Sequence, residues 1–465
     1  MADTHVFTFP TRRSLIALGA AALLSSSPLL AADGDLDANF DADGIASVQV
    51  SAGFNDSTQD VLTLLDGSVI LAGSMQWSAT DHDFAVVKLT PYGSLDSSFG
   101  SGGQVTVAFD LGGTIADYGM AIARQPDGKL VVAGYAEKDS NGNFDLAVTR
   151  MHDNGTPDTS FGSGGKVTVA VDLGGSNFDI ANDVLVQPDG KIVLVGWAER
   201  AGNDQDFVAV RLLSNGALDN TFGVAGKAVV HFDLGGINRD TAEAAVLQSD
   251  GKIVMVGSVE LSNYDFDFAA ARLDTDGLLD TSFGSGGRVN IGFDRGGADQ
   301  DFAEAVAIDN QGRLVLAGRS EGPQHVDHDF AVARLLSTGS LDTSFSSDGK
   351  VTVGIDVGMG LDQAFGVAMA PSNKIIVAGT AWIGGLNSDL AAVRLNDNGT
   401  VDTGFGSNGR SRVAFDIAGS DFGDEQRALA IGIDGGIIMA GPVDTIQDLR
   451  LTGVAKLQGE SWFSW

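Results

Sequence analysis

Short apolar runs separated by turn residues set the texture of the chain, and no stretch carries helical spacing. In residues 117–170, Asp117 leads into Gly119, Ala121 and Ala123 alternating with larger residues, and the turn Pro126-Asp127-Gly128 follows. Lys129 to Gly134 is a short apolar run beyond that turn, so the pattern predicts a hairpin whose turn needs positive φ. A polar loop then leads to Asp145 to Arg150, and Lys166 to Ala170 closes the unit. The expected elements are four strands, named a, b, c and d in chain order.

The unit repeats. Phe40, Phe99, Phe161, Phe222, Phe283, Phe345 and Phe405 are spaced by 59, 62, 61, 61, 62 and 60 residues. The hairpin marker keeps the same beat at Gly67, Gly128, Gly190, Gly251, Gly312, Asn373 and Gly435. Such a period points to a propeller or a solenoid, and excludes two or three unrelated domains. The chain ends decide between them. A d-type strand at Ile45 to Val50 opens the repeats, and the last unit supplies only a, b and c. A solenoid should end on whole, capped repeats. The expected fold is therefore all-β: a seven-bladed β-propeller over residues 33–457, four strands per blade, closed by one N-terminal strand joining three C-terminal ones. Small residues on strand a, such as Gly119, Ala181, Ala242 and Ala303, suit an innermost strand crowded near an axis.

The segments LDTSFGSGGRV (residues 279–289), QPDGKLVVAG (125–134) and DFAVARL (329–335) resemble the bacterial sixty-residue repeat (delta-60) β-propeller family over about residues 34–457. The resemblance implies the propeller architecture; it implies no particular activity.

Charge narrows the partners. The chain has 61 acidic and 28 basic side chains, a net charge of −33. Nucleic acids and anionic membranes are excluded as expected partners, because both are held by Lys and Arg. With no cysteine, disulfides and thiolate chemistry are excluded too. Residues 1–32 place Arg12-Arg13 before the apolar run Leu15 to Leu24 and then Ala31-Ala32, the order of a twin-arginine-like export signal too short to span a membrane. A periplasmic or extracellular monomer without a transmembrane span is expected. Residues 458–465 form an aromatic tail with Trp462, Phe463 and Trp465.

Several charges share the sevenfold beat. Strand c ends on Lys88, Arg150, Arg211, Arg272, Arg334, Arg394 or Lys456, and an aspartate follows each of the first six by eight residues, as in Arg150 and Asp158. Asp37 becomes the partner of Lys456 once the ring closes. A residue required equally in every unit reads as structural, like the phenylalanine anchors. Three further aspartate series mark the opposite face. They are Asp56, Asp117, Asp179, Asp240, Asp301, Asp362 and Asp424 before strand a; Asp83, Asp145, Asp206, Asp267, Asp329, Asp389 and Asp448 at strand c; and Asp110, Asp172, Asp233, Asp294, Asp356 and Asp416 after strand d. Turn capping accounts for these carboxylates, and so does Ca²⁺, which takes 6–8 oxygens at about 2.3–2.6 Å. Asp117, Asp179, Asp240 and Asp301 are candidate ligands, and Asp274, Asp276 and Asp280 form a local loop of calcium-binding type.

Function in a propeller sits on the loops where copies differ. The b–c loops carry Trp77, Tyr264 and Trp382, candidates for stacking on a glycan or peptide. His82, His325, Asp327 and His328 fall in different units and so make a poor transition-metal set. No triad, P-loop, HExxH or nucleophile elbow is present. The expected function is an exported, non-enzymatic binding propeller for a protein or glycan, with Ca²⁺ as its possible ion. The alternative is a polysaccharide hydrolase or lyase using carboxylates in the central funnel.

Overall fold

A computed structural model describes residues 32–50, 55–78, 80–112, 116–139, 142–323 apart from 263, 297 and 298, 327–355, 360–384, 387–415, 423–445 and 449–461, and of residues 176 and 177 the backbone alone. The leader 1–31, the tail residues Trp462, Phe463 and Trp465, and His325, Asp356, Asp416 and Asp448 lie outside the described residues. Among the described residues there are 28 strands and no helix, hence no helix long and apolar enough to cross a membrane.

The strands group as the repeat dictates, in the four-stranded antiparallel sheets of a β-propeller. In unit 2, Asp117–Arg124, Leu130–Asp139, Asn143–Met151 and Lys166–Val169 pair in sequence as strands a to d. Units 1, 4, 5 and 6 form equivalent separate sheets. Units 2 and 3 are joined into one sheet where Phe178, at the start of unit 3, bridges Phe144 in parallel. The C-terminal strands Ala428–Ile431, Ile437–Asp444 and Arg450–Leu457 take the N-terminal strand Ile45–Val48 as their fourth, with Ala46 opposite Val454 and Val48 opposite Thr452.

Strands b and c are buried on both faces where their sheet packs against a neighbour on each side. Leu130 and Val132 pack with unit 1, whereas Val131 and Ala133 pack with unit 3. Buried clusters link consecutive sheets in this way along the chain, and another packs Val61, Val69 and Leu71 of unit 1 against Ala428, Ile438 and Ala440. Strand a slips register by one residue against strand b in units 1 to 6, as between Gly119 and Ala121. This bulge brings the two backbones close beside a strand-b glycine.

The c–d side is built from ion pairs that also latch one unit to the next. Arg150 Nε lies 2.8 Å from Asp158 Oδ2, the guanidinium sits 4.5 Å over the Phe161 ring, and Nη1 donates to the Ser214 carbonyl of unit 3 at 2.5 Å. Arg211, Arg272 and Arg334 repeat this with the carbonyls of Thr275, Ser337 and Asp397. In unit 6, Arg394 reaches Asp33 Oδ2 at 2.8 Å instead, and Lys456 lies 3.2 Å from Asp37. The anchors Phe40, Phe99, Phe161, Phe222, Phe283, Phe345 and Phe405 are all fully buried.

Candidate functional site

The face opposite those ion pairs is built on aspartates whose positions the repeat fixes. Each aspartate entering strand a accepts an N–H from the end of the preceding strand d. Phe109 donates to Asp117 at 2.5 Å, Val171 to Asp179 at 2.6 Å, Phe232 to Asp240 at 3.1 Å and Phe293 to Asp301 at 2.6 Å. Val50, Ile355 and Phe415 do the same for Asp56, Asp362 and Asp424. These carboxylates staple consecutive units together. Burial pushes Asp117, Asp179 and Asp301 up to about 6 and Asp240 up to about 7.

The aspartates opening strand c are answered differently from unit to unit. Asp83 accepts Trp77 Nε1 at 2.6 Å, Asp206 faces His231 Nδ1 at 2.7 Å and Arg200 at 3.0 Å, and Asp267 accepts Asn290 Nδ2 at 2.7 Å. Asp329 pairs with Arg295, and Asp389 with Arg412 at 3.0 Å. Among the described residues, Asp145 pairs with Lys138, at 3.4 Å.

The structure places the other residues singled out in the sequence as follows. In the loop 274–280 the acids make local hydrogen bonds and ion pairs. Asp274 Oδ1 accepts the N–H groups of Asp276 and Leu278, and Asp280 is held by Arg272 Nε at 2.8 Å and Lys252 at 3.0 Å. The Asp276 carbonyl accepts the Gly223 N–H of the unit before. Local Asx geometry and an adjacent guanidinium satisfied the acids first. Trp77 spends its indole N–H on Asp83; Tyr264 is exposed beneath Arg239, 5.5 Å from its ring, and Trp382 belongs to unit 6. These three come from units 1, 4 and 6, and no ring contact joins them among the described residues.

A different aromatic set does converge. His82 and Tyr118 have ring centroids 5.0 Å apart, Tyr118 and Tyr135 5.1 Å, and Tyr135 and Phe144 5.4 Å. Phe144 and Phe178 follow at 5.0 Å, then Phe178 and Trp197 at 6.5 Å, nearly parallel. All six rings are half-buried. The row crosses units 1 to 3 and ends in two clefts of about 520 and 440 Å³. The first is lined by Asn55, Gln76, His82 and Tyr118, the second by Phe178, Trp197, Asn203 and Gln205. Burial lowers His82 and raises Tyr118, so both are neutral near pH 7. The signal was in register. Tyr118 directly follows the strand-a aspartate, and Tyr135 and Trp197 directly follow the strand-b glycine, where other units carry Ser74, Ser258 or Thr380.

Inside the same end lies a cavity of about 190 Å³, lined by residues of seven a strands, among them Gln59, Met120, Asn182, Glu243, Glu304, Phe365 and Leu429. Asn182 donates to Glu243 at 2.8 Å, Arg319 pairs with Glu304 at 2.9 Å, and burial raises both glutamates. Asp60 and Asp183, pushed by burial to about 7 and about 6, accept N–H groups of Ile122 and Ala245 in the neighbouring units.

A family model described as a β-propeller domain of unknown function (DUF5122) matches residues 65–99, 125–161, 187–222, 248–283, 312–345 and 370–405. Each match runs from the a–b turn to the phenylalanine anchor, and together the six support a β-propeller repeat family. No curated protein matches the chain. A solved protein of unknown function from Dyadobacter fermentans is 12% identical, with 90% of this chain and 100% of that one aligned and a TM-score of 0.42. An ulvan lyase of polysaccharide lyase family PL25 is 13% identical over 89% and 96% of the two chains, TM-score 0.45. An α-L-arabinofuranosidase of Fusarium graminearum is 10% identical over 73% and 92%, TM-score 0.41. At such identities the likeness concerns the fold alone.

Proposed function

We propose that this chain is an exported seven-bladed β-propeller of the delta-60 type, sealed by its N-terminal strand, that binds an extended neutral glycan without cleaving it. The seven a strands lining one cavity and the pairing of Ile45–Val48 with Arg450–Leu457 support the ring. Export rests on the sequence of residues 1–32. The continuous row of six rings from His82 to Trp197 carries the binding reading. Half-exposed rings offer flat apolar faces to sugar C–H groups, while Asn55, Gln76, Asn203 and Gln205 at the two ends offer hydrogen bonds to hydroxyls. A net charge of −33 disfavours an anionic glycan. The enzymatic alternative would draw on Glu243 and Glu304, but both are engaged by Asn182 and Arg319 in the axial cavity.

Affinity electrophoresis and a glycan array test this reading. Tyr118→Ala and Trp197→Ala are each expected to weaken binding about tenfold, or about 1.4 kcal/mol, with the polysaccharide recovered uncut. Binding unchanged in both variants would remove the row as the ligand surface. Polysaccharide shortening that disappears in Glu243→Gln would replace the binder by an enzyme.

A further inference from the structure

Three acids meet at the junction of units 2 and 3, with Lys138, 3.4 Å from Asp145, beside them. Asp145, Asp172 and Asp179 each place one carboxylate oxygen within 4.8 Å of the others. Asp179 is fully buried, and its Oδ2 is occupied by the N–H groups of Val171 and Asp172, at 2.6 and 3.1 Å. Its Oδ1 is buried without a hydrogen-bond partner, and so is Oδ1 of Asp145. Buried acceptors left unpaired are uncommon in folded proteins and ask for a missing partner.

The other units show what that partner replaces. Where strand c opens on aspartate elsewhere, an indole, imidazole, amide or guanidinium stands within about hydrogen-bond distance of the carboxylate, as described above. Among the described residues Asp145 has the longest such contact, with Lys138 at 3.4 Å, and it comes from an ammonium. The second acidic triad, Asp204, Asp206 and Asp233, already holds Arg200 and His231 against Asp206.

We propose that Asp145, Asp172 and Asp179 bind one Ca²⁺ at this junction. Two oxygens on opposite sides of a calcium ion, each at about 2.4 Å, stand about 4.8 Å apart, so all three acids fit one ion. An all-oxygen donor set suits a hard cation, and water completes the shell. Asp172 is exposed and holds a left-handed backbone (φ 53°), which presents its carboxylate beside the buried pair. Asp145 and Asp179 directly follow Phe144 and Phe178, whose backbones bridge the two units, so the ion would clamp that bridge.

Calcium titration of the chelator-treated protein, read by calorimetry and by radioactive-calcium dialysis, tests the site with no glycan present. One ion per chain is expected, with a Kd in the submillimolar to millimolar range of extracellular sites. Asp172→Asn and Asp145→Asn should each weaken it at least tenfold, while Asp204→Asn leaves it unchanged. Asp172 is exposed, so the melting midpoint of its variant in chelator should equal that of the parent. No uptake at millimolar calcium, uptake unaltered in both variants, or an equal loss in Asp204→Asn would overturn the proposal.

Discussion

Arg150→Ala is expected to cost about 3–5 kcal/mol of stability, because it strands a buried carboxylate. Both Arg150 and Asp158 are 4% exposed. The other cation near Asp158, Lys129, stays 3.8 Å away and compensates poorly. The variant also loses the hydrogen bond to the Ser214 carbonyl and the cover over Phe161, so unit 2 loosens from unit 3. Burial alone would raise the Asp158 carboxyl, but hydrogen bonds from Ser160 and the Arg150 charge outweigh it and hold the group at about 2. The folded value is thus depressed below the ordinary 3.8, and the pair's contribution is present above that value and lost as pH falls toward about 2. Urea unfolding at neutral pH should show the full gap between parent and variant, with the gap closing in acid. Arg150→Lys, which keeps charge without the fork, should fall between the two. Equal midpoints for parent and Arg150→Ala at neutral pH would mean that the pair is solvated rather than buried.

Gly257→Ala is expected to destabilise by about 1–3 kcal/mol or more, as overpacking does in a tight interior. A Cβ there would lie 1.9 Å from the Thr241 carbonyl oxygen and 2.9 Å from the Ala242 Cα, both of them backbone. No side chain can yield; strand a itself would have to move off strand b at its bulge. The same clash recurs at Gly73, Gly134, Gly196, Gly318 and Gly379, each within 2.0 Å of a strand-a carbonyl, and at Gly441 with the Glu425 carbonyl just before strand a. Thermal melting of the alanine variant checks this, and an unshifted midpoint would place the two strands farther apart than described.

Much of the fold was legible because one constraint was written repeatedly. The hairpin glycines, the b and c apolar runs and the eight-residue spacing from Arg to Asp each fell where the strands and ion pairs lie. The glycine of strand b was visible as part of a motif, yet its cause, a bulge in strand a, shows only when the two backbones are side by side. The site was less legible. A carboxylate's partner is set by how strands and loops fold against one another, so Asp280 sits against Arg272, eight residues before it, and Asp83 against Trp77, six before. The ring row is hidden from a loop-based reading because Tyr118, Tyr135 and Trp197 sit inside strands. Their register beside invariant positions of the repeat was the available clue.

Ring closure is the premise on which the seven-bladed reading and its axial cavity depend. The native chain has no cysteine, so Ile45→Cys combined with Ala455→Cys gives a clean probe. These residues are register partners, and antiparallel partners have Cα atoms about 4.5–5.5 Å apart, within the disulfide range. On mild oxidation of the folded, dilute protein, the account predicts an intramolecular bond in nearly every chain, seen as a faster-migrating monomer on non-reducing gels. Chains that stay reduced, or that link only to other chains, would contradict it.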